Sequence, residues 1–149
     1  MTEGGTVTGG GAAQDPRLGL CVVHRRYVPF SHAHYAGDLV DGAYSLGLFG
    51  DVATEICIHG DGDEGLFASY SDVQFLAPIR AGDVLEITGR VVRVGRRSRE
   101  VEFEARVVCR AAPERGPSAS RPLDPPVVAT TARGVVVVPI GPADTPSSS

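Results

Sequence analysis

Residues 34–58, HYAGDLVDGAYSLGLFGDVATEICI, carry the long helical pattern of the chain. The stretch opens on a charged turn, Ala36-Gly37-Asp38, and passes through Asp41-Gly42 into apolar residues spaced at three and four. Leu39, Ala43, Leu46, Gly50, Ala53 and Cys57 form that stripe, and Phe49 and Ile56 widen it, which predicts a helix with one buried face. Asp41 is the expected N-cap, because its carboxylate can accept from the first free amides at the positive end of the helix dipole. About eighteen helical residues would span roughly 27 Å. The rest of the chain reads as strand, so a sheet is expected to wrap around this helix.

A second stripe shares the helix. Asp41, Tyr44, Leu48, Asp51 and Glu55 also recur at three and four, on a face without Lys or Arg to pair with the carboxylates. Such a face is either solvated or covered by a cleft or a partner subunit. Composition narrows the class: 149 residues make one domain, and 14 Lys plus Arg against 18 Asp plus Glu give a net charge of −4, with no basic excess to attract nucleic acid. Cys21, Cys57 and Cys109 lie in separate apolar segments without a CxxC pair, the pattern of buried reduced thiols in a cytoplasmic protein. No run of about eighteen apolar residues and no charged-then-apolar leader is present, so neither a membrane span nor secretion is expected.

In chain order, residues 1–15 are Gly- and Thr-rich and are expected to be a disordered tail, residues 16–140 a single domain, and residues 141–149 a second tail. Gly19–Phe30 reads as a first strand ended by Pro29, and His59–Gly65 as an acidic, glycine-rich loop. Leu66–Leu76 is a second strand. Val84–Val94 alternates with Leu85, Ile87, Gly89 and Val91 inward; a Gly95-Arg96-Arg97 turn follows, and Ser98–Arg110 returns with Val101, Phe103, Ala105 and Val107 inward. Residues 111–126 hold five prolines and read as a long loop before a last strand, Val127–Ile140. The predicted class is α+β: a long central helix wrapped by a curved antiparallel sheet of about five strands. Five strands cover one face of a helix but cannot close around it, so a dimer that joins two sheets edge to edge is expected.

The strand, helix, four-strand order with a glycine turn before the helix resembles the hot-dog fold of acyl-CoA thioesterases and dehydratases. More narrowly, His34-Tyr35-Ala36-Gly37-Asp38-Leu39-Val40-Asp41-Gly42-Ala43, Leu48-Phe49-Gly50-Asp51-Val52-Ala53-Thr54-Glu55, Gly62-Asp63-Glu64-Gly65-Leu66-Phe67 and Phe75-Leu76-Ala77-Pro78 resemble, in this order, the ammonia lyases that act on beta-alanyl-CoA and 3-aminobutyryl-CoA. The likeness runs from His34 to Ala105. It implies reversible elimination of ammonia from a 3-aminoacyl-CoA to give the enoyl-CoA, with no cofactor beyond the coenzyme A of the substrate, in a homodimer or a dimer-based hexamer.

Elimination beside a thioester removes an α-proton while charge develops on the thioester oxygen. Backbone amides at a helix N-terminus suit that oxygen, and Gly42 and Ala43 supply them under this resemblance. Asp41, Asp51 and Glu55 are candidates for the acid and base, with carboxyl pKa values raised by desolvation. Asp41 and Glu55 stand about 21 Å apart along one helix, so they serve different sites or act across a dimer. Hot-dog thioesterases place a carboxylate about two turns after the helix-opening glycine; here that position falls near Phe49 and Gly50, with Asp51 just beyond. His34 and Tyr35 enter from the turn, where His34 either handles a proton or the thioester oxygen or bonds a loop carbonyl. Arg96, Arg97, Ser98 and Arg99, with Arg93 near them, either dock the coenzyme A phosphates or keep a hairpin edge from aggregating.

Metal ligation is not expected. His32 and His34 lack a third ligand pattern, and Asp61-Gly62-Asp63-Glu64 lacks the remaining spacing of a calcium loop. The first strand and the segment from Ala111 onward fall outside the resemblance. Fourteen Arg and no Lys suggest a high-GC genome, in which the same site would add another amine to a CoA- or carrier-bound enoyl thioester. Hydrolysis of an acyl-CoA and non-catalytic binding of an acyl thioester are the other readings; the acidic stripe speaks against the last, because an apolar acyl tunnel gains nothing from buried carboxylates.

Overall fold

Asp41 and Gly62 bracket the helix. In the computed structural model, which describes residues 14–139, α1 (Gly42–Asp61) starts where the Tyr44 amide donates to the Asp41 carboxylate at 3.1 Å. It ends where Gly62 turns left-handed at φ 67° and its amide donates back to the Ile58 carbonyl. The His59-Gly60-Asp61 segment expected as loop is therefore helical. His59 bonds Glu55 one turn earlier, and Arg17 and Arg99 hold the Asp61 carboxylate, which fixes this extra turn.

Five strands, β1 (Cys21–Tyr27), β2 (Leu66–Phe75), β3 (Val84–Val94), β4 (Ser98–Ala111) and β5 (Ser120–Val137), form one antiparallel sheet in the order β1-β3-β4-β5-β2. This is the α+β arrangement that the resemblance implied. The inward residues of β3 and β4 are those set by the alternation: Leu85, Ile87, Gly89, Val91, Val101, Phe103, Ala105 and Val107 are all buried. The helix, however, sits rotated from the expected face. Ser45, Phe49, Val52, Ala53, Ile56 and Cys57 are buried, while Ala43 is exposed and Leu39, Leu46 and Gly50 are half-buried. Phe49 is the reason, because its ring stacks on Phe103 at 5.0 Å and the largest side chain takes the centre of the interface.

Residues 111–126 are the second correction. Only a short stretch with one 3-10 turn at Pro113–Arg115 separates β4 from β5, and β5 begins at Ser120 instead of Val127. The prolines are tolerated because the ladder opens there: Val107 pairs with Val127 and Cys109 with Pro122, so Leu123 to Pro126 bulge out opposite a single residue. Cys21 is a third, being exposed where a buried thiol was expected; Cys57 is buried and Cys109 half-buried, and all three are free. Residues 1–13 and 140–149, which hold nearly all of the two expected tails, lie outside the described residues. No helix among the described residues is long and apolar enough to cross a membrane.

Both sheet edges are open. β2 is irregular, with register shifts against β5 and a left-handed Asp72 at φ 53°, and it exposes Leu66, Phe75 and Leu76 near its ends. Two glycines are closely packed, Gly89 under the helix and Gly134 under aromatic rings of the sheet itself. A methyl group on Gly134 would stand 2.4 Å from the Phe67 ring, and one on Gly89 would stand 2.7 Å from Val52. Gly134→Ala and Gly89→Ala are expected to destabilise the fold by about 1–3 kcal/mol each, seen as a lower denaturation midpoint at an unchanged m-value.

Candidate functional site

The N-terminus of α1 opens into a cavity of about 430 Å³ bounded by Asp41, Gly42, Ser45, Phe75, Ile79 and Thr130. The first amides of a helix have no intrahelical acceptor. Asp41 takes the Tyr44 amide, and no backbone bond among the described residues engages those of Gly42 and Ala43. Two donors at the positive end of a dipole are therefore free, and Gly42 itself lines the cavity, an arrangement suited to an oxyanion. Ser45 and Thr130, both buried, share a hydrogen bond of 3.0 Å on its floor. The space over Gly42 belongs to Phe75: a methyl group on Gly42 would stand 2.9 Å from that ring. The glycine is needed to let Phe75 cover the cavity, a role beyond leaving room for the thioester.

His34 and Tyr35 reach this end of the helix but stay exposed. The His34 ring lies 4.0 Å from the Asp41 carboxylate and packs edge-on against Tyr35 at 4.6 Å. The His34 side chain thus meets a carboxylate and not the loop carbonyl considered from sequence. Its neighbour His32 bonds the Tyr44 hydroxyl at 2.9 Å, and that hydroxyl also accepts from Arg26 at 3.3 Å.

Asp51 and Glu55 project on the other flank, toward β1. Asp51 borders a groove of about 340 Å³ shared with Val23, His24, Arg26, Leu48 and Ile87. Among the described residues it makes no hydrogen bond or ion pair. Glu55 is engaged: both carboxylate oxygens meet imidazoles, Oε1 at 2.7 Å from His24 Nε2 and Oε2 at 2.9 Å from His59 Nε2. These bonds, His24 first, lower the Glu55 pKa. This corrects the expectation of desolvated carboxylates with raised pKa, since half-exposed Glu55 is held ionised by its neighbours. Its partners are His24 from β1, across the groove, and His59 from the last turn of α1 itself, so the stripe without Lys or Arg is paired with imidazoles instead.

The two centres do not meet in one protomer. β1 and β2 are opposite edges of the sheet, and the cavity borders β2 while the groove borders β1. The nine residues from Gly42 to Asp51 add about 14 Å along the axis. Sequence placed Asp41, Gly42 and Ala43 together correctly and put Asp51 and Glu55 on one flank. It missed His24, Thr130 and Phe75, whose only sequence signal was a polar residue or an aromatic within a strand pattern, and Ser45, a small polar residue within the helical one.

The basic hairpin divides. Arg96 and Arg97 are exposed, with Arg97 Nε donating weakly to the Val138 carbonyl at 3.4 Å. Ser98 is half-buried and pairs with Val137 in the ladder. Arg99 is 2% exposed and donates to both oxygens of Asp61, at 3.0 and 2.6 Å, and to the Gly95 and Ser98 carbonyls. Its donors are spent inside the protein, which removes Arg99 from the phosphate-binding set. Burial raises the Asp61 carboxyl pKa, but Arg99 and Arg17 more than offset it, and the net shift is downward. Among the described residues no group of three or more His, Cys, Asp or Glu is arranged to hold a metal.

Residues 40–110 match the model of the thioesterase superfamily. A 3-aminobutyryl-CoA ammonia lyase of Acetoanaerobium sticklandii is 50% identical over 107 residues, 72% of this chain and 85% of that protein. The structure of the beta-alanyl-CoA:ammonia lyase of Clostridium propionicum superposes with a TM-score of 0.77 at 36% identity, covering 81% of this chain and 86% of that one. A hexameric hotdog fold thioesterase of Campylobacter jejuni shares the fold with a TM-score of 0.63 at 18% identity, over 83% of this chain and 82% of its own.

Arg99 acts on stability. Arg99→Ala is expected to cost about 3 kcal/mol, because the nearly buried Asp61 loses its main partner. A carboxylate with a lowered folded pKa stabilises above its unfolded pKa and loses that contribution as pH falls through the folded one. The difference between wild type and Arg99→Ala should therefore be full above about pH 5 and shrink below about pH 4, measured by chemical denaturation across pH.

Proposed function

Because the chain belongs to the family of the 3-aminobutyryl-CoA ammonia lyases, we propose that it eliminates ammonia reversibly from a 3-aminoacyl-CoA thioester to give the enoyl-CoA. The observation that carries this reading is the pairing of two features: half identity to such a lyase across most of both chains, and a helix N-terminus with two free amides beside a cavity that Gly42 lines. Hydrolysis is disfavoured by one residue. The position two turns after Gly42 is Phe49, which is fully buried against Phe103 and offers no carboxylate to a water.

In this reading the thioester oxygen sits on the amides of Gly42 and Ala43, which withdraw charge and acidify the α-carbon. Asp51, with no other partner among the described residues, receives the β-ammonium group, and Glu55 lies one turn further along the same flank. No cofactor is required, since the thioester stabilises the carbanion and neutral ammonia is an adequate leaving group. Asp41 caps the helix and steadies His34 at the cavity mouth. Tyr35 packs against that ring. Arg96 and Arg97, with Ser98 beside them, take the coenzyme A phosphates as charge-assisted contacts.

The separation of the two centres on one helix requires a second subunit, whose carboxylate flank completes the oxyanion cavity. The unpaired β2 edge with Leu66, Phe75 and Leu76 exposed suits an edge-to-edge homodimer, and dimers of this kind build hexamers. Three free thiols and a CoA thioester substrate suit the reducing cytoplasm.

The test is incubation of the purified protein with crotonyl-CoA and ammonium. Loss of enoyl absorbance without thiol release is expected, and release of thiol would instead mark a hydrolase. Asp51→Asn should lower the addition rate by about 10²-fold or more with the fold retained. Arg96→Ala combined with Arg97→Ala should raise KM several-fold, with kcat held and the effect shrinking at high salt.

A further inference from the structure

We infer that His24, which the sequence did not single out, is the proton-transferring residue of the elimination, and that Glu55 is the positioning residue that holds it; this rests on the lyase reading. An ionised carboxylate is an acceptor only, so both imidazoles on Glu55 present N–H to it. His24 therefore carries its proton on Nε2, bonded to Glu55 Oε1 at 2.7 Å, and its lone pair on Nδ1, which no hydrogen bond among the described residues occupies. The ring is half-buried and borders the same groove as Asp51. A carboxylate that fixes the tautomer of a histidine, leaving the other nitrogen unengaged in a residue that borders an open groove, is an arrangement suited to a positioned general base.

Glu55 is poorly placed for that work itself. Each of its oxygens is already taken by an imidazole, and its lowered pKa makes it a weak proton acceptor. An imidazole nitrogen with a free lone pair can both take and return a proton, which a reversible reaction needs. The groups around His24 are Glu55 and Asp51 on α1, with His59 on the other oxygen of Glu55, and Arg25 and Arg26 next along β1, of which Arg25 is held by Glu86. The β3 residue paired with His24 is Ile87, which does not titrate.

The step balances as follows. His24 Nδ1 takes the α-proton of the 3-ammonioacyl thioester, and the C–H electron pair becomes the carbon-carbon double bond. The C–N pair leaves with nitrogen as neutral ammonia, which takes the proton from His24 and departs from Asp51 as ammonium. Addition runs the same path backwards.

The test uses the purified full chain with 3-aminobutyryl-CoA, followed by the rise of enoyl absorbance between pH 5 and 9, for wild type, His24→Ala, His24→Gln and Glu55→Gln. Both His24 variants are expected to lose about 10²–10⁴-fold in kcat while keeping KM and thermal midpoint, and added imidazole should restore part of the His24→Ala rate. Glu55→Gln should move the acid limb of the kcat profile to lower pH by about one unit, because the imidazolium loses its neighbouring charge. A merely structural Glu55 would leave that limb in place. An active wild type whose His24 variants stay within about threefold of it, or a Glu55→Gln profile with an unmoved limb, overturns the role of His24 alone. A wild type that forms no enoyl product overturns the lyase reading with it.

Discussion

The seating of α1 on the sheet is the constraint from which the rest of the molecule follows. Phe49, Val52 and Ile56 form the dry centre of the interface, Phe49 stacked on Phe103 and Val52 and Ile56 seated over Gly89. Close packing leaves this arrangement little freedom to rotate, since a turn of the helix would drive its largest side chains into strand backbone. With the rotation fixed, Gly42 opens toward the β2 edge, and Asp51 and Glu55 lie toward β1. The two ends of the helix are pinned separately, by the Asp41 cap and by Asp61 between two arginines.

Much of this was legible in the sequence, because period and punctuation are local properties. The alternation of β3 and β4, the Asp41 cap and the existence of one long helix all follow from residue spacing. The misreadings share one cause, namely partners far away in the chain. The helix face was rotated because Phe103 decides where Phe49 goes. The helix ran past Ile58 because Arg17 and Arg99 wait for Asp61. The prolines near residue 122 joined a strand because the facing segment of β4 allows a bulge. The surroundings of the candidate residues were legible to a similar depth: the Asp41 cap and the shared flank of Asp51 and Glu55 followed from spacing, but Arg99 looked free when it is buried, and the bond from His24 to Glu55 left no mark in the strand pattern.

In the proposed reading the chemistry divides along the same lines as the fold. Charge stabilisation is assigned to backbone, which cannot titrate and does not need tuning, and proton handling to side chains on a groove with solvent access. Neither centre suffices alone: amides without a base would polarise a thioester and stop, and a base without amides would face an α-carbon of little acidity. A hot-dog protein with Phe49 buried where a hydrolase would hold its carboxylate is thereby directed away from attack at the carbonyl carbon and toward the neighbouring carbons. The division also explains the open edges, since a chain that splits its site between two flanks of one helix has a functional need for assembly.

The most direct measurement is complementation between two disabled subunits. Gly42→Val places side-chain atoms where the Phe75 ring lies and blocks the oxyanion cavity; Asp51→Asn removes the carboxylate of the groove. Each homo-oligomer should be inactive. Co-expressed with different tags and purified as a mixed dimer, the pair should recover about half of the wild-type activity, because one of the two symmetric sites then combines an intact cavity from one subunit with an intact groove from the other. A mixed dimer as inactive as its parents would mean that cavity and groove serve one substrate from the same subunit, contrary to the geometry on which this account rests.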